Sequence, residues 1–273
     1  MLSADHGQQL IYYQSTIPAD GEPEIVRWLK EHSDLRLILA EKNQTLSGPV
    51  LKIYKKRISL EEGGTSFFFH PSMALLRMIN LLKGEADRFL EAAEIRKGDC
   101  FLDATMGLGS DTLLASWAAG QSGQVTALES SPLIYALVRE GITEMSSLRP
   151  PKLKNALKER AWSELIRGTE KIMLFHSDHL DYLRSLKDRS YDIVYFDPMF
   201  NSTVDSSASI KPLKLWSDST GLRLEAVEQA CRVARRKVLL KERKGSGEFD
   251  RLGFTIVPSG KYSSFHYGEI NLK

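Results

Sequence analysis

The sequence predicts an α/β protein: a mostly parallel sheet with an antiparallel last strand, preceded by a small α+β unit. Three observations carry this. From Asp99 onward, short runs rich in Val, Leu, Ile and Phe alternate with helix-length amphipathic stretches, the rhythm of successive βα units. The last two strand-like runs, 254–257 and 264–270, are joined by 258–262 alone, too few residues for a crossover helix, so they pair antiparallel. Before Asp99 the rhythm differs, with short strands and Gly/Ser/Asn punctuation.

Taken in order, 24–32 reads as a short helix and 35–39 and 50–54 as strands. The aromatic run Phe67, Phe68, Phe69 reads as another strand and as core. Pro71 and Ser72 open a helix to Leu82, in which Leu75, Leu76, Ile79 and Leu82 recur at helical spacing. A second helix covers 86–93. The chain therefore divides into a small N-terminal unit (1–70), a helical connector (71–98) and a main domain (99–273). In the main domain, 100–104 is a strand, 110–119 a helix, 124–129 a strand and 132–145 its helix. Pro150 and Pro151 break the chain, and 154–168 is an inserted basic helix. Strands at 172–175, 192–196 and 237–240 follow. The stretch 201–218 is rich in Ser, Thr and Asp and longer than a βα connection needs, so it is expected to act as a lid.

Hydrophobic residues make up 42% and charged residues 26%, enough for a full core without staples. Cys100 and Cys231 have no ligand partners at metal-site spacing, so they are expected to be buried thiols in a reducing compartment, and no metal is predicted. No apolar run approaches the ~20 residues of a membrane span, and the first residues lack signal-peptide character. The expected location is cytoplasmic. A net charge of +2 does not by itself mark a nucleic-acid binder. Local basic clusters could neutralise phosphates: Arg232, Arg235, Arg236, Lys237, Lys241, Arg243 and Lys244; Lys52, Lys55, Lys56 and Arg57; and Lys152, Lys154, Lys158, Arg160 and Arg167. The competing reading is ordinary solvated charge.

The sharpest signal is Asp103-Ala104-Thr105-Met106-Gly107-Leu108-Gly109-Ser110-Asp111, which follows a strand and opens a helix. Glycines there let the backbone turn tightly and approach a ligand. A dinucleotide fingerprint would need a third glycine, and Thr112 stands in its place. An acidic residue before the glycines repels a pyrophosphate but suits a cationic amino-acid group, as in S-adenosylmethionine (SAM). Glu129, at the end of the second strand, can accept both ribose hydroxyls. Asp178, after the third strand in His176-Ser177-Asp178-His179, can hold an adenine amino group. Four such elements at successive strand ends predict SAM as cofactor.

The fourth strand ends in Tyr195-Phe196-Asp197-Pro198-Met199-Phe200. An acid-Pro-x-aromatic run here resembles motif IV of methyltransferases acting on amino groups of nucleobases or glutamine. In those enzymes the carboxylate and the Pro carbonyl accept the target NH2, and the ring stacks on its plane. An exocyclic amine has its lone pair delocalised, and two aimed acceptors turn that pair toward the methyl group. The structural alternative is an Asp-Pro turn with Phe200 in the core.

Together, Asp103–Asp111 and Tyr195–Phe200 resemble the ribosomal small-subunit methyltransferase J family, bacterial enzymes that methylate guanine N2 in 16S rRNA. Met199 in place of a second proline narrows the match. The resemblance covers roughly 99–270 and implies a Rossmann-like class I methyltransferase sheet. It implies that Asp103, Thr105, Gly107, Gly109, Ser110, Asp111, Glu129 with Ser130, and Asp178 with His179 bind SAM. It also implies that Asp197, Pro198 and Phe200 are catalytic. Val238–Arg243 resembles a later strand of the family, with Lys241 near the substrate. The run Phe68–Ala74 together with Tyr195–Phe200 is similar to a group of uncharacterised Gram-positive methyltransferases. Met199, Lys241 and His70 are candidate substrate residues, although a His beside Pro at a helix start more often caps or packs. The expected function is N-methylation of an RNA base, guanine N2 in ribosomal RNA, on a flipped or single-stranded target. The N-terminal part departs from the family and leaves the acceptor open. The rivals are a methyltransferase acting on a protein side chain or a small molecule, and a SAM-binding ribosome-associated module without turnover.

Overall fold

A computed structural model describes residues 9–14, 21–40, 48–54, 57–62, 64–147, 155–198, 221–257 and 263–273. The expected lid at 201–218 lies outside them, as do Met199 and Phe200. The chain forms two compact units.

The described residues of the N-terminal unit fall within 9–70 and 131–144. Its strands are β1 (Gln9–Gln14), β2 (Arg36–Leu39), β3 (Val50–Tyr54), β4 (Arg57–Glu62) and β5 (Thr65–Phe67), in the order β2-β1-β3-β4-β5. β1 runs parallel to β2 and β3, and β3, β4 and β5 form an antiparallel meander. Helix α1 (Glu24–His32) lies between β1 and β2 in sequence and buries Ile25, Val26 and Leu29, one face at helical spacing. Leu10, Leu51 and Leu60 of the sheet are buried as well. The aromatic run departs from expectation: the strand ends at Phe67, and only Phe67 is buried, with Phe68 and Phe69 half-buried. Phe69 instead packs on α5 (Pro132–Ser147), where a Cβ at Gly141 would lie 2.2 Å from its ring. Trp28 meets Tyr135 of the same helix, ring centroids 5.0 Å apart.

The second unit comprises 71–130, 145–200 and 218–273. It opens with α2 (Ser72–Leu82) and α3 (Arg88–Ala93), the latter capped by Asp87, which accepts the Leu90 N–H at 3.1 Å. The strands are β6 (Cys100–Asp103), β7 (Gln124–Glu129), β8 (Ile172–His176), β9 (Tyr191–Phe196), β10 (Ala234–Arg243), β11 (Thr255–Val257) and β12 (Phe265–Asn271). They lie in the order β11-β12-β10-β9-β6-β7-β8. β8, β7, β6, β9 and β10 are parallel, and β12 is antiparallel to both β10 and β11. The remaining helices are α4 (Ser110–Ala119), α6 (Ala156–Thr169), α7 (His179–Ser185), α8 (Leu224–Val233) and α9 (Glu248–Leu252). Leu102, Val194, Phe196, Val238 and Leu240 fill one core with Ala226, Val227, Ala230 and Val233 of α8. Central strands buried on both faces read as continuous apolar runs, which is why β7 and β9 stand out in the sequence.

The basic helix expected at 154–168 is present as α6: Asn155 caps it by accepting the Leu157 and Lys158 N–H groups, it buries Ala161, Leu165, Gly168 and Thr169, and Lys158, Arg160 and Arg167 are exposed. One expectation changes. Cys100 and Cys231 are free thiols but half-buried. Among the described residues no helix is long and apolar enough to cross a membrane.

Candidate active site

In a parallel sheet the carboxyl ends of neighbouring strands share one edge, the usual ligand site of open α/β folds. Here that edge gathers Asp103, Glu129, Asp197 and Lys241. The loop after β6 is laced across it. Ala104 N–H donates to Tyr195 O (2.8 Å) and Met106 N–H to Leu128 O (2.7 Å). Gly107 N–H donates to Glu129 Oε2 at 3.0 Å. Gly107 and Gly109 adopt φ of +52° and +72°, a left-handed turn that costs other residues strain, and Gly109 delivers the chain into α4 at Ser110.

Asp103 is fully buried. Thr112 donates its hydroxyl to Oδ2 at 2.6 Å, and the Thr105 N–H reaches Oδ1 at 3.3 Å. The threonine that replaces a third fingerprint glycine therefore has a partner: it holds the strand-end carboxylate. Burial pushes the Asp103 carboxyl up to about 7, although the Thr112 hydroxyl opposes the rise.

Thr105 reaches the other side of the site, where its hydroxyl oxygen accepts the Asp197 N–H at 2.6 Å. Asp197 retains 26% side-chain exposure. Its Oδ2 accepts from Lys241 Nζ at 2.5 Å. The same ammonium lies 3.6 Å from Asp111 Oδ2 and 5.1 Å from the centre of the Phe265 ring. Asp111 Oδ2 also accepts the Tyr195 hydroxyl (2.8 Å), and Asp111 Oδ1 accepts from Arg77 Nη1 (2.5 Å). Arg77 of α2 completes a fork onto Asp87 at 2.7 and 2.8 Å. The result is a line of alternating charge: Asp87, Arg77, Asp111, Lys241, Asp197. Burial raises the Asp197 carboxyl, with Lys241 opposing. Burial works against the Lys241 ammonium, but Asp197 and then Asp111 outweigh it and hold it up. For Asp111, burial is outweighed by Lys241 and Arg77, so its carboxyl is held down.

The other candidates fall as follows. Ser110 opens α4, and Ser130 follows β7 with its carbonyl 3.0 Å from His176 Nε2. Asp178 caps α7, accepting the Leu180 and Asp181 N–H groups at 2.8 and 3.1 Å. His179 opens that helix and meets the Phe196 ring edge-on at 5.8 Å. Pro198 is half-buried after Asp197. His70 belongs to the N-terminal unit, where it is exposed and meets Phe68 edge-on at 6.2 Å. Arg77 is an addition that no motif flagged, and Thr112 and Tyr195, named in the motifs without a role, gain one as partners of Asp103 and Asp111.

In the basic stretch 232–244, Arg232, Arg235, Arg236, Lys237 and Lys241 each face a carboxylate. Arg232 pairs with Asp188, Arg235 with Asp192, Arg236 with Asp99, and Lys241 with Asp197. Lys237 is buried between Glu94 and Glu269, both at 2.7 Å. Within β10, alternation between two faces sends Arg235, Arg236, Lys237 and Lys241 to different carboxylates. In the other clusters, Lys52 pairs with Glu61 and Arg167 with Glu164. Lys55, Lys56, Lys152 and Lys154 lie outside the described residues. Among the described residues, no group of three or more His, Cys, Asp or Glu could hold a metal ion.

This sheet order, with a glycine-turned loop after β6 and carboxylates at successive strand ends, defines a Rossmann-like SAM-dependent methyltransferase. Residues 73–262 match the family described as "Putative SAM-dependent methyltransferase", and the chain belongs to it. It is similar to the uncharacterised protein YpiP of Bacillus subtilis (strain 168), 36% identical over 81% of this chain and 81% of that protein. It is also similar to ribosomal RNA small subunit methyltransferase J of Salmonella newport (strain SL254), 27% identical over 85% of this chain and 86% of that enzyme. Among solved structures, the SAM-dependent methyltransferase NGO1261 from Neisseria gonorrhoeae shares the fold with a TM-score of 0.61 at 16% identity, covering 96% of this chain and 95% of that one.

Proposed function

We propose that this SAM-dependent methyltransferase methylates an exocyclic amine of an RNA base, with guanine N2 in ribosomal RNA as the target. The observation that carries the reading is Asp197: a carboxylate at the end of β9, followed by Pro198, with one oxygen bonded to Lys241 and a quarter of its side chain open to an incoming group. The similarity to ribosomal RNA small subunit methyltransferase J supports an RNA acceptor.

The residues at hand fit the cofactor. Gly107 and Gly109 place bare backbone over the sheet edge. Asp103, buried at the end of β6, pairs as a carboxylate with the cationic amino group of SAM, releasing its proton on binding. In this reading Thr105, Ser110 and Asp111 complete the loop around the amino-acid portion. Glu129 and Ser130 meet the ribose, and Asp178 and His179 the adenine. Bound SAM supplies an electrophilic methyl group on a sulfonium. Asp197 and the Pro198 carbonyl accept the two hydrogens of the acceptor amine and turn its lone pair outward. Phe200, by its resemblance to the motif IV aromatic, is the candidate stacking residue, and Met199 a candidate substrate residue; both lie outside the described residues. The methylated nitrogen loses one proton to solvent. No strong base is needed, since the two acceptors supply alignment.

The test is incubation with methyl-labelled SAM and separate pools of ribosomal RNA, small subunits, protein and metabolites. Label in RNA that digests to N2-methylguanosine is expected. Label confined to the protein or metabolite pool overturns the acceptor.

A further inference from the structure

A lone carboxylate that orients an amine has a weakness. It rotates about its Cβ–Cγ bond and offers either oxygen, and in a shielded site burial favours its protonated form, which presents a donor where an acceptor is needed. Asp197 is held against both outcomes. Lys241 Nζ occupies Oδ2 at 2.5 Å and leaves Oδ1. A lysine side chain is flexible and strongly hydrated, so it holds a partner firmly only when it is held itself. Here Asp111 lies 3.6 Å from the ammonium on a second side, and the Phe265 ring lies 5.1 Å away on a third. Asp111 in turn is fixed by the Tyr195 hydroxyl and by Arg77, whose remaining fork is locked on Asp87. Arg77 lies in α2, before the first strand of the main sheet and far in the sequence from Gly107, Gly109 and the motif IV residues.

We propose that Lys241 is a positioning residue of methyl transfer: it pins Oδ2 of Asp197 so that Oδ1 is presented to the acceptor amine, and Arg77, acting through Asp111, pins Lys241. The proposal rests on the reading of Asp197 as the amine-orienting group. It also gives the helices at 71–98 a part in the site. The charged and titratable groups around Asp197 come from every neighbouring element: Lys241 and Glu242 from β10, Asp111 from α4, Arg77 from α2, Tyr195 from β9, Tyr267 from β12 and Asp103 from β6. Of the cations, Lys241 acts on Asp197 most strongly.

The test reads Asp197 directly. In full-length protein labelled at the aspartate carboxyl carbon, Asp197→Asn identifies the Asp197 resonance, and its titration is followed by NMR in the wild type and in Lys241→Met. The titration is expected to move to higher pH in Lys241→Met. Turnover on small-subunit RNA should fall about tenfold or more, as for loss of one aimed electrostatic group, and its acidic limb should move the same way. The SAM dissociation constant by calorimetry should change far less. Lys241→Arg should keep the titration in place and recover part of the turnover. In the Asp197→Asn background, Lys241→Met should cost nothing further, because the lysine acts only through that carboxylate. An unmoved titration in Lys241→Met, or an equal loss in both backgrounds, overturns the proposal. If Lys241→Met does not fold, Lys241→Gln carries the test, and an unmoved Asp197 titration in it is the overturning result. The titration needs no acceptor, so an error in the RNA reading leaves it interpretable. An Asp197→Asn enzyme of full activity would instead remove the reading on which the proposal rests.

Discussion

The Thr105 hydroxyl oxygen accepts the backbone N–H of Asp197 at 2.6 Å, so the loop after β6 and the end of β9 share one hydrogen bond. Thr105→Val keeps the shape and removes the acceptor. A shielded N–H left without a partner costs about 1–3 kcal/mol. Both a lower melting temperature and slower turnover are expected, with SAM affinity affected less. Thermal melts beside single-turnover rates check this; a variant slowed in neither respect would show that the bond positions nothing.

Asp103 makes stability depend on pH in a defined direction. Its folded carboxyl sits at about 7 against an ordinary 3.8, so between those values the folded state holds a proton that the unfolded chain has released. Stability from this group is therefore full at about pH 4 and lost as pH rises through about 7. Asp103→Asn should flatten that part of the curve, measured by urea midpoints across the window. Binding of the cationic SAM amino group near neutrality should release a proton, visible in calorimetry repeated in buffers of different ionisation heat. Proton-neutral binding would count against contact between Asp103 and that group.

Glu129 holds the Gly107 N–H at 3.0 Å while standing at the end of β7. Glu129→Ala is expected to weaken SAM binding by about 1–3 kcal/mol, through a lost charged acceptor and a loosened glycine turn. Glu129→Gln can still accept the Gly107 N–H and should lose less. Unchanged affinity in the alanine variant would remove Glu129 from the cofactor site.

Asp197→Asn separates chemistry from structure. An amide keeps the volume but offers one accepting oxygen, and its NH2 would face the target NH2. Turnover should drop roughly a hundredfold or more, with SAM affinity far less affected. A turn-capping Asp would instead give activity losses that track unfolding, so melting curves must be run on the same samples. Wild-type rates in the Asn variant would eliminate the amine-orienting role.

The parts of this molecule that local pattern dictates were legible in the sequence. Helix α2 follows from Leu75, Ile79 and Leu82, β7 from its apolar run, and the glycine turn from Gly107 and Gly109. Asp103, Glu129 and Asp197 could be picked out because each ends a strand. What stayed hidden was pairing across long separations. Nothing local ties Arg77 to Asp111, or Lys237 to Glu94 and Glu269. The basic stretch 232–244 therefore looks like an open charge cluster until its strand partners are placed. Helices α7 and α9 span 7 and 5 residues, too short for periodicity to separate them from loops. Strands β1 and β4 were passed over as well; they sit in the N-terminal unit, the part of the chain no family motif covers.

The packing of Phe69 on Gly141 and of Trp28 against Tyr135 sets a schedule for synthesis. The first 70 residues leave the ribosome with part of their own unit still about sixty residues behind, in the first turns of α5. At ~5–20 residues per second, that is a wait of roughly 3 to 12 seconds. During it Trp28 of α1 and Phe69, beyond β5, lack their partners Tyr135 and Gly141 on α5. The stretch translated in that interval encodes the loop of Gly107 and Gly109.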